Sequence, residues 1–257
     1  MPNNKDKVSS HQKALIIAHF NNHGALRTDT VEALPYFHNI YDRIILVSTC
    51  LSSEEVSKLP DYVEVIIRDN YGYDFYSYRQ GILMLKDGGI SWQVTLMNTS
   101  FIIAEPVKLC NSYLEPITSM DLFDFIGLTH SLEINEHLQS YLLTLSAELI
   151  ADSRFVDWWE KMSPLNDKNE IVTKYEVGLS QYVGELGFKL SGVLKGPMSG
   201  PYPNTSLMKF GELLNNYGVI KITLIRDNPY NLNLGLIYRR MVSDNRFNNM
   251  VLEGLLN

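Results

Sequence analysis

The sequence predicts an α/β fold, with a mostly parallel central sheet and helices on both of its faces. Short runs rich in Ile, Val and Leu alternate with stretches of helical pattern. The stretches between the apolar runs are roughly ten to twenty residues long, enough for a crossover helix between parallel strands. With 257 residues, 45% of them hydrophobic and 20% charged, the chain is long and apolar enough to bury a sizeable core.

Five apolar runs are predicted to be buried strands, because they are short and rich in branched aliphatic residues. They are ALIIAHF (14–20), RIILVST (43–49), VEVIIRD (63–69), WQVTLMN (92–98) and FDFIGLTH (123–130). We expect residues 1–12 to form a flexible tail and residues 13–257 to form a single domain.

Helical patterns lie between and after these strands. The first, residues 28–41, is interrupted by Pro35. The second begins with Asn135 as N-cap and has leucines at helical spacing, namely Leu138, Leu142, Leu145 and Leu149. The third has Phe155, Trp158 and Met162 on one face, and the fourth runs from about Thr173 to Leu186, with Gly187 ending it.

The end of the chain is predicted in less detail. Residues 187–194 read as a late strand, residues 196–206 as a loop rich in Pro and Gly, and residues 219–230 as another apolar run. Residues 232–256 are expected to form one or two helices. The sequence contains no internal repeat.

Composition and charge narrow the class of protein. The formal net charge of −7 argues against nucleic acid as a partner, because a phosphate backbone requires a basic surface. Cys50 and Cys110 form no CxxC pair, so we expect reduced thiols rather than a disulfide scaffold or zinc ribbon. The polar N-terminal stretch contains no secretory signal, and no segment reaches the ~18 apolar residues that span a bilayer. We therefore expect a cytoplasmic protein that meets a membrane only at its surface.

The segment RDNYGYDFYSYRQGI (68–82) joins a predicted strand to a helix that starts near Asp74. Ligands of open α/β sheets bind at the carboxyl ends of strands, where this loop lies. Gly72 lets the backbone approach a ligand. Asp74 can cap the helix, bind a nucleotide or sugar hydroxyl, or do both.

The same segment is dense in aromatic residues, which belong either to the core or to the wall of a sugar or base pocket. We expect Phe75 and Tyr78 to pack the helix onto the sheet. The remaining rings, Tyr71, Tyr73 and Tyr76, are candidates for the pocket wall.

Two further stretches carry polar candidates. Asn98, Thr99 and Ser100 follow a predicted strand, as either a simple turn or the ligand edge of the sheet. Glu176 lies three residues after Thr173 in a T-x-x-E pattern, which is typical of a capping box. A carboxylate at a helix start can also face the cleft as a general base, and the two interpretations are compatible.

Other common motifs are missing. The six histidines include no HExxH, so a zinc site is not expected. GxGxxG, GxxxxGK[ST] and GxSxG do not occur, which argues against dinucleotide, P-loop and serine hydrolase sites. His130 and His137 flank the loop after the fifth strand and could contact a phosphate or an acceptor, although structural histidines are commoner.

Several stretches, taken together, resemble the rhamnan synthesis protein F family, glycosyltransferases of bacterial cell-surface polysaccharides. The matching segments keep the family's order over about residues 14–230: AHFNNHG, VIIRDNYGYDFYSYRQGI, LMNTSFIIAEP, DFIGLTHSLEINEHLQSYLLTLSAELIADSRFVDWW, IVTKYEVGLSQYVGELGFKL and IKITLIRDNPY. The N-x-G-x-D-F and H-L-Q-S-Y segments are the most specific. The order also resembles the GT-A type of nucleotide-sugar transferase fold.

The resemblance implies roles for particular residues. Glu176 would be the catalytic base. The donor would be bound by His19, Arg68, Asp69, Asn70, Gly72, Asp74, Asn98 and Ser100. The acceptor or a phosphate would be bound by His130, His137, Gln139 and Arg226.

One departure from the family pattern concerns the metal. The family commonly has Asn-Asp-Ser where this chain has Asn98-Thr99-Ser100, and a hard cation such as Mg²⁺ or Mn²⁺ prefers carboxylate oxygens. Either Glu105 or Asp74 holds a metal from elsewhere, or transfer is metal-independent. In the second case basic residues would neutralise the leaving diphosphate, with Arg68, Lys195, Lys221 and Arg226 as candidates.

The resemblance further implies partners. They are a nucleotide-diphosphate sugar such as a dTDP-activated deoxyhexose, a lipid-linked glycan acceptor of the O-antigen or lipopolysaccharide kind at the inner membrane face, and other polysaccharide-assembly enzymes. Transfer with inversion is expected. The alternative is a non-catalytic nucleotide-sugar or glycan-binding module that assists a partner transferase. A phosphate-ester enzyme of another α/β type is the weakest option.

Overall fold

The structure is a computed structural model that describes residues 11–86, 89–119, 123–196, 204–229, 231–235 and 237. Its strands within these ranges are numbered in chain order. They are β1 (Gln12–His19), β2 (Arg43–Ser48), β3 (Val63–Ile67), β4 (Trp92–Asn98), β5 (Phe101–Ile103), β6 (Phe125–Ser131), β7 (His137–Leu138), β8 (Leu142–Leu145), β9 (Leu190–Lys195) and β10 (Val219–Lys221).

The helices are numbered in the same way. They are α1 (Thr28–His38), α2 (Ser53–Val56), α3 (Tyr73–Lys86), α4 (Pro106–Leu109), α5 (Glu115–Thr118), α6 (Ala147–Ala151), α7 (Ser153–Glu160), α8 (Lys168–Ile171), α9 (Gly178–Glu185), α10 (Thr205–Met208), α11 (Phe210–Tyr217) and α12 (Ile222–Asp227). Short π-helical stretches, Cys110–Leu114 and Val172–Val177, join α4 to α5 and α8 to α9.

The predicted α/β fold with a large, mostly parallel central sheet is confirmed. The strand order is β3-β2-β1-β4-β8-β6-β7, and β9 pairs with β6. Strands β1 to β4 are parallel, and so are β6 and β9. Because β8 is antiparallel to both β4 and β6, these two strands point the same way. The carboxyl ends of β1 to β4, β6 and β9 therefore lie at one edge of the sheet.

The sheet is buried on both faces, as its uninterrupted apolar strands predict. On β1, Leu15 and Ile17 belong to the core on one face, while Ala14, Ile16 and Ala18 belong to the core on the other. The first core includes residues of α1, and the second includes residues of α3, α7 and α9. Strands β5 and β10 form a separate antiparallel pair.

A glycine sets how closely α3 approaches β1. A Cβ atom on Gly81 would lie 2.6 Å from Cγ2 of Ile16, closer than side-chain atoms pack. The absence of that atom lets the helix lie directly on the central strand. Because Asp74 is on the same helix, this contact also positions its first turn at the carboxyl edge of the sheet.

The predicted helix after Asn135 is wrong. His137–Leu138 and Leu142–Leu145 are strands, and helix α6 begins only at Ala147. All four residues of β8 are buried, because β8 lies between β4 and β6 with a core on each face. A strand buried on both faces has no alternation of polar residues, so its leucines fit helical spacing equally well.

Other boundaries also differ from the predictions. Helix α1 continues through Pro35, which does not end it. Gln12, assigned to the tail, is already in β1. The fourth helical segment starts at Lys168, where the Asp167 side chain accepts a hydrogen bond from the Glu170 N–H.

Towards the end of the chain, β10 lies within the predicted apolar run 219–230, and β9 overlaps the predicted strand 187–194 but extends to Lys195. The late strand thus begins at Leu190, and Val219–Lys221 is followed directly by α12. Residues 1–10 and most of the predicted 196–206 loop and 232–256 helices lie outside the described residues. Within the described ranges, no helix combines the length and apolarity needed to cross a bilayer.

Candidate functional site

The strand order reverses between β1 and β4, and ligands of open α/β sheets bind outside the carboxyl ends of strands at such a point. Asn98 is the last residue of β4 and is paired with Ala18, next to His19 at the end of β1. Strand β8 runs antiparallel to β4, so Ser140 and Tyr141, which precede β8, lie at the carboxyl edge of β4. The Tyr141 carbonyl accepts a hydrogen bond from the Asn98 N–H.

A chain of side-chain hydrogen bonds starts at Asp74. Nδ2 of Asn98 donates to Oδ2 of Asp74 across 2.7 Å. Oδ1 of Asn98 accepts from the hydroxyl of Ser100 at 2.5 Å and from its backbone N–H at 3.1 Å. Nζ of Lys221 in turn donates to the Ser100 hydroxyl at 2.6 Å. Every donor in this series of hydrogen bonds points toward Asp74. The series links the ammonium group of Lys221 to the carboxylate of Asp74 through the neutral side chains of Ser100 and Asn98.

The small β5–β10 sheet positions Lys221. Lys221 is paired with Phe101, and the N–H of Ile222 donates to the Ser100 carbonyl at 3.1 Å. The ammonium group also lies 4.4 Å from the centre of the Tyr141 ring, a cation–π distance. Contacts from two directions therefore fix the lysine at the end of β4.

Glu176 approaches from the other side, in the π-helical stretch between α8 and α9. Its Oε2 accepts hydrogen bonds from the Ser140 N–H, at 3.0 Å, and from the Ser140 hydroxyl. Its Oε1 lies 3.4 Å from Nε2 of His137, whose Nδ1 contacts the Asn135 carbonyl at 2.7 Å. The capping-box prediction for Glu176 is therefore wrong, because the carboxylate bonds a loop of the sheet and lies well inside the helical segment. π-helical turns are frequent at functional sites.

The charges of Asp74, Lys221 and Glu176 affect one another's pKa values. Burial raises the pKa of Asp74 to about 6, and the positive charge of Lys221 limits the rise. Burial lowers the pKa of Lys221 to about 8, although Glu176 and Asp74 both oppose the decrease. Burial also disfavours ionised Glu176, but His137 and Ser140 outweigh it and hold the pKa of Glu176 below its ordinary value. At neutral pH Glu176 is therefore a carboxylate, and Lys221 is an ammonium group.

The aromatic segment divides as expected for two of its rings. Phe75 and Tyr78 are buried and pack α3 onto the sheet, and the Tyr78 hydroxyl donates to the Ser140 carbonyl at 2.9 Å. Tyr71 and Tyr76 are partly buried and in edge contact, with ring centres 4.9 Å apart. Tyr73 is 49% exposed. Its place in a pocket wall stays a prediction, as do those of Tyr71 and Tyr76.

Arg68 organises the loop before α3. Its guanidinium donates to the carbonyls of Asp69, Tyr71 and Tyr73 at 2.8, 2.5 and 2.6 Å, and its Nε donates to Ser77 Oγ at 2.9 Å. Most of its donors are therefore engaged within its own segment. Gly72 has a φ of +70°, the left-handed conformation that glycine adopts most readily.

The remaining donor candidates lie around this cluster. Asp69 and Asn70 are exposed in the loop after β3. His19 is buried, contacts Ser48 Oγ through Nδ1 at 2.9 Å and has its pKa lowered by burial to about 4. No hydrogen bond in the described part of the chain joins it to Asp74 or Asn98.

The acceptor candidates are placed differently from one another. His130 and His137 line one cavity of about 550 Å³, together with Lys195. Gln139 is buried, and its Oε1 accepts from Thr129 and from the N–H of Ser206. Arg226 is exposed on α12 and pairs with its neighbour Asp227.

Sequence reasoning missed Ser140 and Tyr141 and considered Lys221 only as one of several basic residues. Ser140 lies in the H-L-Q-S-Y segment, and the resemblance of that segment to the family was the one sign that could have pointed to it. Lys221 has no local signal, because 121 residues separate it from Ser100 in the chain.

A family model for rhamnan synthesis protein F matches residues 44–216, more than half of the chain. The chain belongs to the rhamnan synthesis protein F family. The match includes the segments that supply Asp74, Asn98, Ser100, Ser140 and Glu176, whereas Lys221 lies beyond it.

One curated relative shares 30% identity over 158 residues. It is described as the uncharacterized protein y4gN of Sinorhizobium fredii (strain NBRC 101917 / NGR234), and the aligned region is 58% of this chain and 40% of that protein. This member of the rhamnan synthesis protein F family thus spans about two fifths of the relative's length.

Solved structures similar to this chain include the complex of Rv0371c from Mycobacterium tuberculosis H37Rv with manganese. It has a TM-score of 0.44 and 10% identity, and the match covers 74% of this chain and 91% of that one. Glucosyl-3-phosphoglycerate synthase from the same species, with phosphoglyceric acid, has a TM-score of 0.40, 9% identity and coverage of 54% and 58%. The galactosyltransferase LgtC, with donor and acceptor sugar analogues, has a TM-score of 0.38, 10% identity and coverage of 65% and 71%.

Proposed function

We propose that this chain is a glycosyltransferase that moves a sugar from a nucleotide-diphosphate donor to a glycan acceptor. Membership in the rhamnan synthesis protein F family supports this activity. The observation that carries the proposal is the convergence of Asp74, Asn98, Lys221 and Glu176 at the carboxyl edge where the strand order reverses.

In the proposed reaction, an acceptor hydroxyl attacks the anomeric carbon of the donor sugar. A new C–O bond forms as the bond between that carbon and the diphosphate oxygen breaks, through an oxocarbenium-like transition state. The electron pair of the broken bond leaves with the nucleoside diphosphate. Glu176 takes the proton of the acceptor hydroxyl, and inversion follows from attack on the face opposite the leaving group.

The state of Glu176 supports its role as the base. His137 and Ser140 hold its pKa below the ordinary value, so the group is a carboxylate at neutral pH. Its side chain is 17% exposed, which leaves an edge for a substrate hydroxyl. Ser140 and His137 also hold the carboxylate in one orientation, which a base requires at the moment of proton transfer.

The donor and the acceptor have separate proposed places. The diphosphate lies at Asn98 and Ser100, and the sugar lies near Asp74. The acceptor lies in the cavity of about 550 Å³, which adjoins the site through His137. The cavity wall includes His130, Gln181 and Lys195, groups that suit a hydroxylated or anionic glycan.

The finer identity of the substrates rests on the family alone. We propose a deoxyhexose such as rhamnose, activated as a dTDP sugar, and a lipid-linked acceptor of a cell-surface polysaccharide such as O-antigen at the inner membrane face. Other polysaccharide-assembly enzymes are the proposed partners, and the proposed compartment is the cytoplasm.

The test replaces Glu176 with Gln and measures donor consumption, sugar transfer and melting temperature. We expect transfer to fall at least about 100-fold, the contribution typical of a general base, with donor binding retained. Glu170→Gln, on exposed α8 of the same helical segment, is the matched control and should keep wild-type transfer. Unchanged transfer in a folded Glu176→Gln protein would contradict the role of this residue.

A non-catalytic nucleotide-sugar or glycan-binding module remains the second candidate. It is favoured by Thr99, which occupies the position where the family commonly has an acid. Calorimetry that detects tight binding of nucleotide sugars, together with no release of nucleoside diphosphate under any acceptor condition, would favour this module over the enzyme.

A further inference from the structure

The leaving diphosphate must be neutralised during transfer, a requirement that rests on the proposed function. A departing nucleoside diphosphate gains negative charge in the transition state. A cation or a set of fixed donors must therefore lie where that charge develops. In many phosphate sites this cation is a divalent metal held by carboxylates.

The end of β4 does not fit a divalent metal. Its side chains are Asn98, Thr99 and Ser100, and Oδ1 of Asn98 is already occupied by two hydrogen bonds from Ser100. The carboxylate of Asp74 is bonded to this group through Asn98 and is a single carboxylate ligand at most. The ammonium of Lys221 at Ser100 would repel a second cation there. In the described part of the chain, no cluster of three or more His, Cys, Asp or Glu residues could hold a metal ion.

Lys221 supplies a positive charge at the same place. Among the described residues its Nζ has one hydrogen-bond acceptor, the hydroxyl of Ser100, and it forms no ion pair with a carboxylate. An ammonium group has three N–H donors, so two are available to a ligand. Glu176 and Asp74 act on the half-buried ammonium group through their charges without contacting it, so a diphosphate can bond it directly.

The lysine is also held in place before any ligand binds. The β5–β10 pairing places its backbone opposite Phe101, and the Tyr141 ring lies under its ammonium group. The chain of donors from Lys221 through Ser100 and Asn98 to Asp74 further fixes the orientation. Such preorganised charge costs no rearrangement during the reaction.

We propose that the ammonium group of Lys221 supplies the positive charge of this site and neutralises the leaving diphosphate, as a divalent metal does in related chemistry. It binds the diphosphate of the donor through its two free N–H groups. When the bond between the anomeric carbon and the diphosphate oxygen breaks, the electron pair stays on that oxygen and the lysine stabilises it. Lys221 keeps its proton throughout, so the base remains Glu176.

The test uses titration calorimetry of the full chain with dTDP, UDP and GDP in excess EDTA, and it repeats each titration with manganese. We expect at least one diphosphate to bind in EDTA, with little change on adding manganese. Lys221→Met should weaken that binding about 10- to 100-fold, the loss typical of a charged hydrogen-bond partner. Lys161→Met, a surface lysine 78% exposed, is the matched control and should bind as the wild type does.

One further variant and two contrary outcomes complete the test. If Lys221→Met fails to fold, Lys221→Gln, which removes the charge and keeps a polar side chain beside Ser100, should weaken diphosphate binding by the same factor. Binding of the wild type only with manganese would overturn the inference and leave the proposed function standing. No binding of any diphosphate or nucleotide sugar, with or without metal, would overturn both.

Discussion

Nδ2 of Asn98 donates a hydrogen bond to Oδ2 of Asp74 across 2.7 Å, and this contact joins the end of β4 to the first turn of α3. It is the first link of the chain that ends at Lys221. The carboxylate and the ammonium group therefore share one hydrogen-bond chain while remaining separated by two neutral side chains. Both groups have displaced pKa values, and each displacement leads to a measurable consequence.

Asp74→Asn is expected to stabilise the protein at neutral pH. The pKa of Asp74 rises from 3.8 to about 6 on folding, so folding favours its protonated form. Stability from this group is present below about pH 4 and is lost as the pH rises through about 6. The variant cannot ionise, and it should gain about 3 kcal/mol over the wild type above that range. Urea unfolding across pH would show the two proteins converging in acid, and a constant difference would contradict the assignment.

The affinity for a nucleoside diphosphate is expected to fall in alkali. Lys221 has its pKa lowered by burial to about 8, so it loses its positive charge sooner than a surface lysine does. The charges that act on it come from Glu176, Asp74 and Lys168. Calorimetry with the wild type should show binding that weakens above about pH 8, whereas Lys221→Met should bind weakly at every pH. Equal pH dependence in both proteins would assign the effect to another group.

Ser140→Ala is expected to move the acid limb of the pH–rate profile to higher pH. The Ser140 hydroxyl donates to Oε2 of Glu176 and helps to hold the pKa of that carboxyl below its ordinary value. Without this donor, Glu176 is protonated at a higher pH, so kcat/KM should begin to fall earlier on acidification. Ser153→Ala, at an exposed position of α7, should leave the profile unchanged.

Gly81→Ala is expected to destabilise the protein by about 1–3 kcal/mol, the usual cost of overpacking a filled core. The new methyl group would lie 2.6 Å from Cγ2 of Ile16 on β1, so α3 must shift. Gly211→Ala is the control, since a Cβ at Gly211 in α11 meets no atom within 4 Å. That substitution should be neutral or stabilise by up to ~1 kcal/mol through helix propensity. Equal effects at the two glycines would show that close packing does not decide the cost at Gly81.

Much of the fold and part of the site could be predicted from the chain. The apolar runs that became β1 to β4 and β6 were recognisable because a buried parallel strand is a short continuous run of branched residues. Their alternation with helical patterns predicted a carboxyl edge carrying polar residues. Asp74 and Asn98 do meet there. Glu176 was identified through a resemblance and a capping pattern, and it lies at the same edge for a different reason, its hydrogen bonds from Ser140.

The two errors have a common cause, which is that a local pattern does not show what a segment packs against. Strand β8 looked helical because both of its faces are covered, and only its insertion between β4 and β6 defines it. Thr173 and Glu176 matched a capping box by spacing, while the helical segment actually begins at Lys168. The local pattern of apolar residues indicates which residues are buried, but it does not show which other segments cover them.

The sequence by itself determined the fold class, the principal strands of the parallel part and the polar residues at their ends, because these depend on local apolar periodicity and on side-chain type. Only the tertiary structure decided that Lys221 meets Ser100 across 121 residues of chain and that Ser140 and His137 hold Glu176. Those contacts depend on the pairing of β5 with β10 and on the reversed direction of β8. Strand pairing depends on packing throughout the molecule, so no local segment of this chain encodes it.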